Sequence, residues 1–212
     1  MSYWNRMKFF TVVLGLWLSP KVNALKCYEC VQGVSGTCTE TTKDCPSQDF
    51  LCGAITLTTY KGGLEDQQIR YKKCFLAVEC VEGSVNFGSE KTVILSHCCN
   101  SDLCNTKAPV PKFIPNGKKC YSCEGQKCTR SLNCDGSEDY CIKSSMTVEG
   151  EMKLMKGCAS KIMCWDNSSA LFTNDLGSRS SCCQGDYCNG ASSTRVGLLL
   201  LTVPFIAFVL FS

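Results

Sequence analysis

The stretch Cys98-Cys99-Asn100-Ser101-Asp102-Leu103-Cys104-Asn105 recurs as Cys182-Cys183-Gln184-Gly185-Asp186-Tyr187-Cys188-Asn189. Upstream of the first copy, cysteines stand at 27, 30, 38, 45, 52, 74 and 80; upstream of the second, at 120, 123, 128, 134, 141, 158 and 164. The residues between neighbouring cysteines number 2, 7, 6, 6, 21, 5, 17, 0, 4 in one set and 2, 4, 5, 6, 16, 5, 17, 0, 4 in the other. Six of the nine gaps agree, so the chain is a tandem repeat of two cysteine-bounded units. Their openings correspond too, Lys26-Cys27-Tyr28-Glu29-Cys30 matching Lys119-Cys120-Tyr121-Ser122-Cys123.

Twenty cysteines in 212 residues exclude an ordinary cytosolic enzyme, whose thiols are kept reduced and few. Units this small bury too little apolar surface to be comfortably stable, and five disulfides each would compensate. Zinc is the rival use, since Cys27-x-x-Cys30 and Cys120-x-x-Cys123 have ligand spacing. An even ten cysteines per unit, the adjacent Cys98-Cys99 and a secretory leader favour disulfides instead. His97 is the sole histidine, so no multi-histidine metal site can be built.

Both ends read as addresses. In residues 1–24, Arg6 and Lys8 precede an apolar run over 9–18, Pro20 breaks it, and Val22 and Ala24 are the small residues of a cleavage site. The mature chain is expected to begin at Leu25. Residues 190–212 read as a glycosylphosphatidylinositol (GPI) anchor signal: small residues, a short polar spacer containing Arg195, then an apolar run over 196–211. That run falls short of the roughly 20 residues a spanning helix needs, and no basic residues follow it. Asn189 and Gly190 are the leading attachment candidates, with Ala191 behind them. Loss of Arg6, Lys8, Lys21 and Arg195 takes the net charge from +3 to −1 on side chains alone.

Between the units, residues 106–119 carry Pro109, Pro111 and Pro115 with Lys107, Lys112, Lys118 and Lys119, a semi-rigid extended spacer. It separates two faintly acidic units, residues 25–105 and 120–189. Within the first, residues 54–60 alternate and are rich in β-branched side chains, turn at Lys61-Gly62-Gly63, and return over 65–73. The counterpart runs over 142–148, turns around Glu149-Gly150-Glu151, and returns over 152–156. No helical periodicity appears between cysteines.

The opening Leu25-Lys26-Cys27-Tyr28-Glu29-Cys30, the ten-cysteine order and the doubled Cys-Cys-x-x-Asp-x-Cys-Asn close resemble the lymphocyte-antigen-6/urokinase-receptor superfamily. The resemblance covers residues 25–189 and implies an all-β, disulfide-rich fold of two tandem three-finger, snake-toxin-like domains. It implies the pairing Cys27–Cys52, Cys30–Cys38, Cys45–Cys74, Cys80–Cys98 and Cys99–Cys104. In the second unit it implies Cys120–Cys141, Cys123–Cys128, Cys134–Cys158, Cys164–Cys182 and Cys183–Cys188. Asn105 and Asn189 would tie the last loop of each domain to its hairpin base. The urokinase receptor has three such domains and this chain two, so its composite protease-binding cavity does not carry over.

Catalysis is not expected. His97 sits beside a disulfide, and the acidic pairs Glu65-Asp66 and Glu138-Asp139 read as solvated loops. No cofactor, metal or nucleic acid is implied. The expected function is binding of an extracellular protein ligand or a neighbouring membrane receptor by a GPI-anchored surface protein; the alternative is a secreted inhibitor of an extracellular enzyme such as phospholipase A2. Met146, Met152, Leu154 and Met155 make the middle hairpin of the second unit unusually apolar and are candidate contacts. Phe87, Trp165, Leu171 and Phe172 are similar candidates. Asn167-Ser168-Ser169 is a glycosylation sequon.

Overall fold

Alternating β-branched segments anchored by cysteines have one economical outcome, antiparallel strands stapled at one end. The computed structural model describes residues 24–31, 38–148, 151–164 and 179–190 and shows that arrangement twice. The first domain runs β1 (Lys26–Val31), β2 (Thr41–Asp44), β3 (Phe50–Lys61), β4 (Leu64–Leu76), β5 (Gly83–Asn86) and β6 (Glu90–Cys99). The second runs β7 (Pro115–Glu124), β8 (Lys127–Asp135), β9 (Tyr140–Val148), β10 (Glu151–Ala159) and β11 (Arg179–Cys183). Among the described residues helix is confined to short 3-10 turns. The leader and the tail beyond Gly190 lie outside the described residues, among which no helix is long and apolar enough to cross a membrane.

All twenty cysteines are paired. The bonds are Cys27–Cys52, Cys30–Cys38, Cys45–Cys74, Cys80–Cys98 and Cys99–Cys104, then Cys120–Cys141, Cys123–Cys128, Cys134–Cys158, Cys164–Cys182 and Cys183–Cys188. Buried sulfurs form the base of each domain, Cys27, Cys45 and Cys52 in one and Cys120, Cys134, Cys141 and Cys158 in the other. The fingers extend from these bases.

The middle finger of the first domain is β3–β4, and its turn uses Gly62 and Gly63 at φ +59° and +84°, a region other residues enter at a cost. Strand β3 lies between β4 and β6, and buried positions run almost continuously along it from Cys52 to Thr58. In the second domain β9 is flanked in the same way by β10 and β11.

The domains then join. Strand β10 pairs antiparallel with β5, Cys158 opposite Asn86 and Ala159 opposite Val85, making one nine-stranded sheet in the order β11-β9-β10-β5-β6-β3-β4-β1-β2. The largest hydrophobic cluster is shared across this join: Ile55, Phe75, Val85, Phe87 and Ile94 pack with Ile142, Ala159 and Met163. The spacer is shorter than its composition predicts, because β7 begins at Pro115 and pairs there with Asp135. Proline tolerates that position because it is the first residue of the strand.

Candidate functional site

The join leaves a cleft of about 330 Å³ where the fingers of the first domain meet β10 of the second. Its walls are Thr59, Tyr60 and Lys61 from β3, Asp66 and Gln67 from β4, Val85 and Phe87, then Glu90, Lys91 and Thr92 from β6. Met155 closes it from the other domain. The apolar floor is rigid because Phe87 and Val85 belong to the shared core and Met155 packs against it. One rim carries the ion pair Lys61–Asp66 at 3.1 Å, and Asp66 raises the Lys61 pKa above its usual value.

Burial pushes the Tyr60 hydroxyl pKa above the usual phenol value, and the Glu65 charge adds to the rise. Tyr60 is therefore a neutral phenol at physiological pH, able to donate one hydrogen bond and accept others. Its ring meets Phe113 of the spacer edge-on at 5.1 Å between centroids. The cleft thus offers aromatic and thioether surface with a polar rim, suited to holding a protein side chain or loop.

The apolar residues expected on the middle finger of the second domain do not form one patch. Alternation along β10 sends Met152 and Leu154 to one face and Met155 to the other. Met152 is 80% exposed and Leu154 37%, whereas Met155 faces the cleft. Met146 stands on β9 opposite Lys153. Phe87 is buried, a floor residue rather than a surface contact. Trp165, Asn167, Leu171 and Phe172 lie outside the described residues.

Glu138 corrects the sequence reading. It was expected in a solvated loop with Asp139, yet its side chain has no exposed surface while Asp139 stays exposed. The reason is its partners, Ser84 and Lys91 of the first domain, which no local pattern announces. Glu65 and Asp66 are exposed. His97 lies on β6 opposite Ala54 with an exposed side chain.

Among the described residues two sulfur clusters have metal-like spacing, Cys27, Cys45 and Cys74 in one domain and Cys120, Cys134 and Cys158 in the other. Every one of these sulfurs is spent in a disulfide, and only a thiolate binds zinc well. The residues do not fit a metal. At the close of the second domain, Asn189 is buried and Gly190 exposed within one 3-10 turn.

Two stapled domains with paired fingers define a three-finger architecture, and comparison with known proteins agrees with it. The u-PAR/Ly-6 domain profile matches residues 23–107, and the profile for snake toxin and toxin-like proteins matches residues 119–189. Similar proteins include the urokinase plasminogen activator surface receptor of Mus musculus, 31% identical over 148 residues, which covers 64% of this chain and 44% of that receptor. The receptor of the same name from Rattus norvegicus is 29% identical over 148 residues, with the same shares. That of Bos taurus is 27% identical over 154 residues, covering 68% of this chain and 46% of its own. The chain is a two-domain member of the lymphocyte-antigen-6/urokinase-receptor three-finger superfamily. It spans less than half the length of these relatives.

Proposed function

We propose that this chain is a cell-surface binding protein, held on the outer leaflet by a GPI anchor after removal of a leader ending at Ala24, and that it catalyses nothing. Its ligand is an extracellular protein that seats a loop in the cleft between the domains. The observation that supports this most is the cleft itself: walls from both domains, preset by disulfides and a shared core, lose little freedom on association. Similarity to proteins named as surface receptors supports the receptor class. Any signal passes through a neighbouring membrane protein, since a lipid anchor leaves no cytoplasmic segment.

Two measurements test the reading. A phosphatidylinositol-specific phospholipase should release intact protein from expressing cells; protein found only in the medium points instead to a secreted inhibitor. Proximity labelling on cells bearing the wild type should mark extracellular partners that Tyr60→Ala and Met155→Glu both lose. Retention of every partner by both variants would remove the cleft from the proposal.

A further inference from the structure

Lys91 leaves β6 of the first domain and ends between two carboxylates of the second. Its Nζ lies 2.8 Å from Asp135 Oδ2 and 3.0 Å from Glu138 Oε1. Glu138 is wholly buried, and both its oxygens are engaged elsewhere too: Ser84 Oγ donates to Oε1 at 2.7 Å and the Asp135 N–H to Oε2 at 2.9 Å. Phe113 of the spacer covers the ammonium, which lies 4.4 Å from the ring centroid. Beside it, the Ser84 and Ser160 main chains are tied by Ser160 N–H to the Ser84 carbonyl at 2.8 Å, and Ser160 Oγ accepts from the Ser84 N–H at 2.9 Å.

A pair of this kind adds little stability relative to an apolar substitute, but it punishes the loss of either partner. Removing one partner leaves the other charge buried without compensation for as long as the domains stay joined, so loss of the Lys91 ammonium favours their separation. Residues 105–114 belong to no strand, and the spacer touches the clasp through Phe113, which stays with the second domain when the chain is cut before it. We infer that the Lys91–Asp135–Glu138 clasp, together with the β5–β10 join, holds the two domains in one orientation, and that the peptide linker is dispensable for it. Lys91 is a positioning residue: it lines the cleft while its head fixes the opposite domain. The inference stands whether or not the cleft takes a ligand.

The test cuts the linker and asks whether the halves stay together. A recognition sequence for a site-specific protease is inserted between the exposed Lys107 and the half-buried Ala108 of the full chain, purified in detergent without reductant. After cleavage, wild-type halves should co-elute in size exclusion at low-micromolar concentration. Lys91→Met should separate them, weakening association at least about tenfold, and Asp135→Asn, which keeps shape and leaves Glu138 paired, should weaken it about threefold. A mass consistent with ten disulfides in each uncut variant establishes folding, and Asp135→Asn carries the test if Lys91→Met fails that check. Separation of the cut wild type, or a Lys91→Met or folded Asp135→Asn protein indistinguishable from it, overturns the inference. No ligand is needed, so the outcome is independent of the cleft experiment.

Discussion

Asn105 grips Tyr28 by both ends of its amide: Oδ1 accepts the Tyr28 N–H at 3.0 Å and Nδ2 donates to the Tyr28 carbonyl at 2.9 Å. Nδ2 also donates to the Gly53 carbonyl at 2.9 Å. Asn189 repeats the grip on Tyr121 at 3.0 and 2.9 Å and reaches the Ile142 carbonyl at 3.0 Å. The last residue of each closing motif thereby ties three chain segments that share no sequence proximity. Only a side chain with donor and acceptor on one planar group does this.

Asn105→Asp should therefore be far more damaging than its size suggests. The variant keeps the acceptor but sets a carboxylate against two carbonyls in a site with no exposed surface. We expect a loss of about 2–5 kcal/mol at neutral pH, read from denaturant midpoints with disulfides intact. Part should return as the pH is lowered towards about 4, because the carboxyl, its pKa raised by burial against two carbonyls, protonates in the folded state before the unfolded one and regains a donor. An unchanged midpoint at neutral pH would refute the grip.

Gly157 and Gly125 should respond very unequally to alanine. A Cβ at 157 would lie 1.9 Å from the Asn86 carbonyl oxygen, at the β10–β5 join, where backbone cannot yield without parting the domains. Gly157→Ala is expected to cost more than about 3 kcal/mol or abolish secretion. Gly125 sits in a turn at φ +60° with open space around it, so Gly125→Ala meets only backbone strain of about 1 kcal/mol. Equal midpoints for the two variants would contradict the close approach.

These residues also show where sequence reading ran out. Two-residue alternation within cysteine-bounded loops announced the middle fingers, because strand and turn chemistry are local. The β5–β10 join was not legible: Val85 and Asn86 meet Cys158 and Ala159 across more than seventy residues, and nothing in either stretch names the other. Glu138 looked solvated for the same reason, its ammonium partner being supplied by the other domain. Composition marked the methionine-rich finger, but only the pairing of β10 with β9 and β5 determined that Met155 faces the cleft and Met152 faces away.

Thr56 is a polar residue where an apolar one would serve. It is 1% exposed on β3, and its hydroxyl has no hydrogen-bond partner. Valine has the same branching and nearly the same volume, so Thr56→Val removes an unpaid desolvation without a cavity. The expected gain is about 1 kcal/mol, seen as a rise in the denaturant midpoint with unchanged slope. A loss of stability would mean the hydroxyl is satisfied.

Lys156 should make the protein more stable in mild alkali. Burial lowers its pKa below the ordinary 10.5, and the nearby Lys143 charge lowers it further. In this window the unfolded chain binds more protons than the folded one, so stability rises with pH between the lowered folded value and 10.5 and is flat below it. Lys156→Met, which keeps the length of the side chain without its charge, should flatten that rise. Parallel curves of midpoint against pH for the two proteins would show that the ammonium is not penalised.

The attachment point of the proposed anchor follows from the same turn. Asn189 is 4% exposed and pinned by the hydrogen bonds that close the second domain, so presenting its carbonyl to a transamidase would require breaking that grip. Gly190 ends the turn, is exposed, and its carbonyl makes only a long 3.5 Å contact with Lys156 Nζ. It also leaves the domain by a route only glycine permits, since a Cβ there would lie 2.6 Å from the Tyr121 ring. We expect mass spectrometry of the phospholipase-released protein to find ethanolamine on Gly190. Ethanolamine on Asn189 would mean that the lipid is added before the closing asparagine is seated, and that the second domain completes its fold after anchoring.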